Sequence, residues 1–188
     1  MKHSRAKATI MLVDDAPANL KYLQEIFSSR GYRVVAFPRG EDALKAASRK
    51  PPDIFLLDIM MPEMDGFEVC SRLKADPVLR KIPVLFISAL SDRDDKVSAF
   101  AAGGVDYVTK PFEELEVVSR VETHLNLYRL SRELEEIVEE RTAQLTESNE
   151  ALKREIVTRI KAEEDLRSYQ VMLQAVFEQV HEVQRQHR

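Results

Sequence analysis

The feature that most constrains the fold of this 188-residue chain is where its glycines and prolines stop. All five glycines and all eight prolines lie at or before Pro111, and the last 77 residues contain neither. These residue types mark most turns, so the first part must turn often and the second part need not turn. Charge divides the chain at the same place: 17 basic against 15 acidic residues give residues 1–111 a net charge of +2, whereas 11 against 17 give residues 112–188 a net charge of −6. We therefore expect a domain boundary near residues 111–125.

The first part alternates short apolar runs rich in Val and Ile with amphipathic helical patterns. Strands are predicted at Thr9–Val13, Arg33–Phe37, Asp53–Leu57, Pro83–Ile87 and Val105–Val108. Helices are predicted between them, at residues 17–30, 41–49, 66–75 and 92–102. Nearly continuous apolar strands separated by helices are typical of a parallel sheet covered on both faces. The prediction is an α/β domain with a doubly wound, five-stranded parallel sheet.

Polar residues stand where four of these predicted strands end. Asp14 and Asp15 follow the first, Asp58 the third, Ser88 the fourth and Lys110 the fifth. Since ligand sites of doubly wound sheets form at the carboxyl ends of the strands, we expect these side chains to meet. Three converging carboxylates repel each other unless a cation joins them, and such hard oxygen donors suit Mg²⁺. The lysine and the serine could then bind a phosphate group held by the metal.

Four stretches, by their order and spacing, make residues 8 to about 125 resemble a response-regulator receiver domain of bacterial two-component signalling. They are LVDDAPANL, FLLDIMMPEMDGFEVC, PVLFISAL and GGVDYVTKPF. The resemblance implies a flavodoxin-like receiver over residues 6–125, continuous with a signalling helix over residues 126–188. It also implies a phosphoacceptor module that is not an enzyme and that loses its phosphoryl group slowly.

The resemblance implies a role for each polar residue at the strand ends. Asp58 would accept the phosphoryl group from a phosphohistidine or a small donor. Lys110 and Ser88 would contact that group, and Ser88 would belong to a conformational switch. Asp15 would bind Mg²⁺ directly, Asp14 would bind it mainly through water, and Asp58 would complete the set of carboxylates.

Further roles come from the same resemblance. The backbone carbonyl of Met60 would be a ligand of Mg²⁺, and Tyr107 would be the aromatic residue of the switch. The peptide bond between Lys110 and Pro111 would be cis. The side chains of Met60 and Leu90 would flank the path of the attacking water, and because both are bulky and apolar we expect a long-lived phosphoaspartate.

The implied partner is a sensor histidine kinase or a histidine phosphotransfer protein, and the implied cofactor is Mg²⁺. The single cysteine, Cys70, cannot form an internal disulfide, and the apolar run of six residues at 8–13 is too short for a secretory signal. No stretch approaches the roughly 18 apolar residues of a membrane span. We expect a cytoplasmic protein that binds no membrane. The histidines lack metal-ligand spacing and are interpreted as surface residues: His3, His124, His181 and His187.

The residues after Pro111 are predicted to form one long helix whose first turns cover the sheet with Leu115, Val118 and Val121. Farther along, one column recurs at intervals of seven residues with a single polar exception, which indicates a coiled coil. Its members are Val138, Leu145, Leu152, Arg159, Leu166, Leu173 and Val180.

The companion column of this seam changes side along the helix. Asn149 and Ile156 lie three residues before members of the first column, whereas the later companions lie three residues after members. Those later companions are Tyr169, Val176 and Val183. The register therefore shifts near residues 156–166. Asn149 either lies in the seam and favours two strands, or is exposed beside it.

A parallel homodimer is the preferred arrangement of the helix. A hairpin would need a turn, and the polar segment at 146–151 contains neither glycine nor proline. An antiparallel dimer stays open.

Three other functions compete with the dimeric signalling module, and a fourth is compatible with it. A DNA-binding regulator would need a compact basic domain, but the tail is acidic. A phosphatase would need a further acid beside the nucleophile. His181 superficially resembles the phosphorylated histidine of a kinase, without the residues that usually follow it. The chain could also be the front of a larger regulator that carries a diguanylate cyclase, a hybrid histidine kinase or a phosphodiesterase.

Overall fold

A computed structural model describes residues 7–88, 93–111 and 113–186, with side chains for all of these except 93–96 and 176–186. The chain divides into two compact units, which we name the sheet unit, Met1–Arg132, and the helix unit, Glu133–Arg188. The elements are β1 (Thr9–Val13), α1 (Pro17–Ser29), β2 (Arg33–Phe37), α2 (Gly40–Arg49), β3 (Ile54–Asp58), α3 (Gly66–Ala75), β4 (Val84–Ser88), α4 (Arg93–Ala101), β5 (Asp106–Thr109) and α5 (Glu114–Gln186).

The five strands form one parallel sheet in the order β2-β1-β3-β4-β5. Because successive side chains of a strand point to opposite faces, the central strands feed two separate cores. In β3, Ile54 and Leu56 pack in a cluster with residues of α1 and α5, whereas Phe55 and Leu57 pack in a cluster with residues of α2 and α3. Helices therefore cover both faces, and the predicted doubly wound fold is confirmed.

Three strands begin and end one residue later than predicted, and the difference concerns the candidate site. Asp58 and Ser88 are the last residues of β3 and β4, not the residues after them. The backbone ladder sets these ends, since Asp58 lies opposite Ile87 and the N–H of Ile59 donates to the carbonyl of Ile87 at 3.1 Å. The polar side chains are therefore held by the sheet itself.

The start of α3 packs directly on the end of β3. The N–H of Gly66 donates to the carbonyl of Ile59 at 2.9 Å, and a Cβ on Gly66 would lie 2.3 Å from the carbonyl oxygen of Asp58. Only glycine allows this approach. The helix is capped by Asp65, whose carboxylate accepts the N–H of Glu68 at 2.8 Å.

The face of α5 that covers the sheet differs from the predicted face at one residue. Val118 and Val121 are buried as predicted, but Leu115 is 76% exposed, so its prediction is wrong. Val117 and Leu125 are buried as well. The row 117, 118, 121 and 125 follows the spacing of one helical face, and Leu115 lies outside it.

Within the helix unit, every described side chain from residue 133 to residue 175 is exposed. These include six residues of the predicted column, namely Val138, Leu145, Leu152, Arg159, Leu166 and Leu173. The predicted companions Asn149, Ile156 and Tyr169 are exposed as well. Val176, Val180, His181 and Val183 lie outside the described side chains. Among the described residues, no helix has a segment long and apolar enough to cross a membrane.

Candidate functional site

The carboxyl end of the sheet brings together the three aspartates singled out in the sequence. Asp14 follows β1 and is 1% exposed, Asp58 ends β3 and is 4% exposed, and Asp15 is exposed. One carboxylate oxygen of each lies within 4.8 Å of those of the other two. Residues separated by more than 40 positions in the chain thus form one acidic cluster, because the parallel strands that carry them are neighbours.

Lys110 follows β5, which is separated from β3 by β4, and its long side chain reaches the acidic cluster. Its Nζ donates to Oδ2 of Asp14 at 2.9 Å and to Oδ2 of Asp58 at 2.8 Å. Its backbone N–H donates to the carbonyl of Ser88 at 2.6 Å, and the bond to Pro111 is cis, as the resemblance implied. The ammonium therefore bridges two buried carboxylates.

Burial and charge pull in opposite directions at this bridge. Burial raises the pKa of Asp58, and the hydrogen bond from Lys110 does not fully offset burial and the nearby charge of Asp14. For Lys110, burial favours a lower pKa, but the hydrogen bonds to Asp58 and Asp14 outweigh it and raise the pKa. The lysine is therefore held charged, while Asp58 is a carboxylate whose ionisation the protein opposes.

The donor set fits a divalent cation. Three carboxylates and one ammonium carry a formal charge of −2, which a divalent ion would neutralise. Oxygen donors on rigid strand ends, one of them exposed to water, suit Mg²⁺, which keeps some of its waters. Asp14, Asp15 and Asp58 are the residues that would hold it.

Asn19 belongs to the site and was missed in the sequence. Its Nδ2 donates to both carboxylate oxygens of Asp14, at 3.1 and 2.9 Å, and the backbone N–H of Ala16 donates to Oδ1 at 2.8 Å. A signal was present, since Asn19 lies one turn before Leu23 and two turns before Ile26, on the stripe of α1 that faces the core. A polar residue on such a stripe calls for a buried partner.

Three other predicted site residues lie on or just after β3, β4 and β5. Ser88 is buried at the end of β4, opposite Thr109. Tyr107 lies on β5, partly buried, with its ring edge-on to that of Phe100 at 6.2 Å. Met60 has a side chain that is 61% exposed. Leu90 lies outside the described residues.

A second charged group ties β5 to α5. Both carboxylate oxygens of Asp106 accept hydrogen bonds from Nη1 of Arg120, at 2.9 and 2.8 Å, and Nε2 of His124 lies 3.2 Å from Oδ2. Burial would raise the pKa of Asp106, but the bonds from Arg120, the N–H of Tyr107 and His124 outweigh it and lower the pKa. The interpretation of His124 as a surface residue is therefore wrong, because its side chain is only 17% exposed and shares Asp106 with Arg120.

Comparison with known proteins gives a family and several relatives. The family model of the response regulator receiver domain matches residues 10–122 of this chain. The chain is 44% identical over 114 residues to the response regulator PleD of Caulobacter vibrioides, covering 61% of this chain and 25% of that protein. It is 40% identical over 120 residues to a probable cyclic di-GMP phosphodiesterase of Vibrio cholerae, covering 64% of this chain and 27% of that protein. The chain thus spans about a quarter of the length of these two relatives.

A solved structure shows the same fold. The receiver domain of a sensor histidine kinase from Pseudomonas aeruginosa, with a magnesium ion coordinated in its active-site cleft, superposes with a TM-score of 0.61 at 29% identity. The match covers 64% of this chain and 99% of that one.

Proposed function

Because residues 10–122 make this chain a member of the response regulator receiver family, we propose that it accepts a phosphoryl group on Asp58 and passes the phosphorylated state to a dimeric helix. Receivers are signalling modules that histidine kinases or phosphotransfer proteins phosphorylate. The observation that carries the proposal is the acidic cluster closed by Lys110, with Nζ 2.8 Å from Asp58.

The chemistry follows from the residues around Asp58. A carboxylate oxygen attacks phosphorus, the new O–P bond forms as the N–P bond of phosphohistidine breaks, and the imidazole nitrogen keeps the electron pair and takes a proton from water. The ammonium of Lys110 donates hydrogen bonds to the oxygens of the phosphoryl group during the transfer, and the hydroxyl of Ser88 donates to one of them. Mg²⁺, held by Asp14, Asp15, Asp58 and the carbonyl of Met60, would supply further neutralisation of the phosphoryl charge.

Incorporation of phosphate from a small phosphodonor in the presence of Mg²⁺ tests this assignment. Asp58→Asn should abolish the labelling, because the amide cannot form the acyl phosphate. Asp42→Asn, an exposed residue of α2, should label like the wild type. Undiminished labelling of Asp58→Asn would disprove the assignment.

The lifetime of the phosphoaspartate is a separate proposal. The exposed Met60, which follows the strand that carries Asp58, gives the attacking water no polar group to orient it. Met60→Asn combined with Leu90→Glu should speed the decay of the label. Equal decay rates in the double variant and the wild type would show that these side chains do not control the water.

We propose that residues 6–125 form the receiver and that residues 126–188 form a signalling helix, paired with a second copy as a parallel homodimer. The support is the column of exposed apolar side chains at intervals of seven residues along α5, since so much apolar surface on one helix needs a partner. Phosphorylation would rearrange the surface near Tyr107 and alter the pairing of the helices.

Sedimentation with and without beryllofluoride and Mg²⁺ tests the dimer. Leu152→Asp should weaken self-association, because it places a charge in the seam. Ala151→Asp is the matched control, since the neighbouring residue is exposed but lies outside both columns. A wild type that is monomeric in both states would refute transmission through a coiled coil.

A second proposal concerns the output. The relatives in which the matched segment is a quarter of the protein support the alternative that this receiver controls a further domain of one larger regulator, or else a separate partner. The mass of the native protein, measured in cell extract, distinguishes the two. We also propose a cytoplasmic location, where receivers meet their kinases and where the buried thiol of Cys70 stays reduced.

A further inference from the structure

Among the described residues, three hydrogen-bond donors that differ in charge contact the buried carboxylate of Asp14. The N–H of Ala16 donates to Oδ1 at 2.8 Å and Nζ of Lys110 donates to Oδ2 at 2.9 Å. Nδ2 of Asn19 lies within hydrogen-bonding distance of both oxygens, at 3.1 and 2.9 Å. Of these three donors, Asn19 is the one that contacts both oxygens of the carboxylate.

Lys110 cannot keep its hydrogen bonds to both Asp14 and Asp58 when a divalent cation is bound at the cluster. Its ammonium already divides its hydrogen bonds between Asp14 and Asp58, and it would be repelled from the cluster by a bound divalent cation. A buried carboxylate that loses one donor needs the others to stay in place. The amide of Asn19 has no net charge, so that repulsion does not act on it.

The backbone makes Asn19 suitable for this task. It lies in the first turns of α1, which begins at Pro17 and packs on the sheet through Leu23 and Ile26. A side chain with two rotatable bonds on a packed helix loses little freedom when it binds.

Resting on the proposed function, we propose that Asn19 is the positioning residue of the Mg²⁺ site and holds the carboxylate of Asp14 in its ligating orientation once Lys110 has turned to the phosphoryl group. A cationic residue in its place would compete with the metal, and an alanine would leave the N–H of Ala16, which contacts only Oδ1, to hold the Asp14 carboxylate once Lys110 has turned away. Groups that orient metal ligands typically contribute about 10–100-fold to metal affinity.

Titration calorimetry with MgCl₂ on the full chain tests the proposal without a phosphodonor. Asn19→Ala should weaken the affinity for Mg²⁺ about tenfold. Gln24→Ala removes an exposed amide from the same helix and should bind like the wild type. Asn19→Ser provides a second variant in case alanine disturbs folding; its hydroxyl is too short to span both oxygens, so the same loss is expected.

Phosphorylation kinetics add a readout that a purely structural role would not produce. For Asn19→Ala, the Mg²⁺ concentration at half-maximal rate should rise about tenfold, while the rate at saturating Mg²⁺ changes less than about twofold. Affinities within twofold of the wild type in both Asn19 variants would overturn the inference and leave the proposed function standing. A wild type that binds no Mg²⁺ and labels equally after Asp58→Asn would overturn the proposed function itself.

Discussion

The sheet unit and the helix unit use the same apolar residues in opposite surroundings. Leu56 in β3 is 0% exposed, whereas Leu152 in α5 is 52% exposed. In the sheet unit, helices that pack on both faces of a parallel sheet bury the core side chains within one chain. Over residues 133–175 every side chain of the helix unit is exposed, so under the proposed pairing a second helix would bury its leucines. The sheet unit is therefore stabilised by its own core, whereas the helix unit would be stabilised by the proposed partner.

The largest expected change in unfolding free energy comes from truncating a buried leucine of the sheet unit, and the same truncation in the helix unit serves as the comparison. Leu56→Ala should cost about 2–5 kcal/mol of unfolding free energy, because it leaves a cavity in the core. Leu152→Ala should change the unfolding of the sheet unit by less than about 0.5 kcal/mol. Urea denaturation followed by near-ultraviolet circular dichroism measures both, and equal losses would contradict the division into two kinds of stability.

A smaller effect concerns the ion pair between β5 and α5. Asp106→Asn should cost about 1–3 kcal/mol at neutral pH, because Arg120 and His124 lose a charged acceptor. The pKa of Asp106 is lower in the folded protein, so its stabilisation is full above the pKa of the unfolded chain, about 4, and is lost as the pH falls through the folded value. Urea unfolding should show that the difference in unfolding free energy between the wild type and Asp106→Asn is smaller at pH 3 than at pH 7. Asp42→Asn is the control, and a pH-independent loss would count against the ion pair.

The acidic cluster should give an effect of the opposite sign. In buffer with a chelator, Asp58→Asn should raise the unfolding free energy at neutral pH by about 1 kcal/mol, because active-site residues are often held at a cost in stability. Burial raises the pKa of Asp58, so the wild type is penalised above that pKa and relieved as the pH falls through it. The gain of the variant should therefore vanish on acidification. Thermal melts of the wild type and Asp58→Asn over pH 4–8 measure this gain in stability. A variant less stable than the wild type at pH 7 would contradict the prediction.

The smallest effect lies in the helix unit, where Nε of Arg159 is 3.3 Å from Glu163 and both side chains are largely exposed. A double-mutant cycle with Arg159→Ala and Glu163→Gln should give a coupling of about 0.3–0.5 kcal/mol that fades with salt. The corresponding cycle for Arg120 and Asp106 should exceed it, since that pair is less exposed. Equal couplings would remove the contrast between the units.

The pattern of the sequence was enough to predict the sheet and most of the cluster. The bounds of β1 and β2 were predicted to the residue, since apolar runs end where the ladder ends. At β3, the ladder continues through Asp58, which a pattern of apolar residues excludes from the strand. Leu115 was misplaced for a related reason: an apolar residue near a helix start says nothing of which face meets the sheet.

Partners of single polar residues were beyond the sequence. Asn19 finds Asp14 five positions away across a turn, and Tyr32 donates to Glu122 at 3.1 Å across 90 positions. Such pairs depend on how helices cross the sheet, and a lone asparagine or tyrosine in a sequence specifies no direction.

Residue types and their spacing were enough to predict the order of strands and helices, the carboxylates at strand ends and the long helix, because each is a local property of the chain. Three contacts became visible only in the folded molecule: Lys110 bridges Asp14 and Asp58, Asn19 contacts both oxygens of Asp14, and Arg120 and His124 share Asp106. These contacts need side chains from distant positions to arrive within about 3 Å of each other, and the packing of helices on a twisted sheet sets that distance.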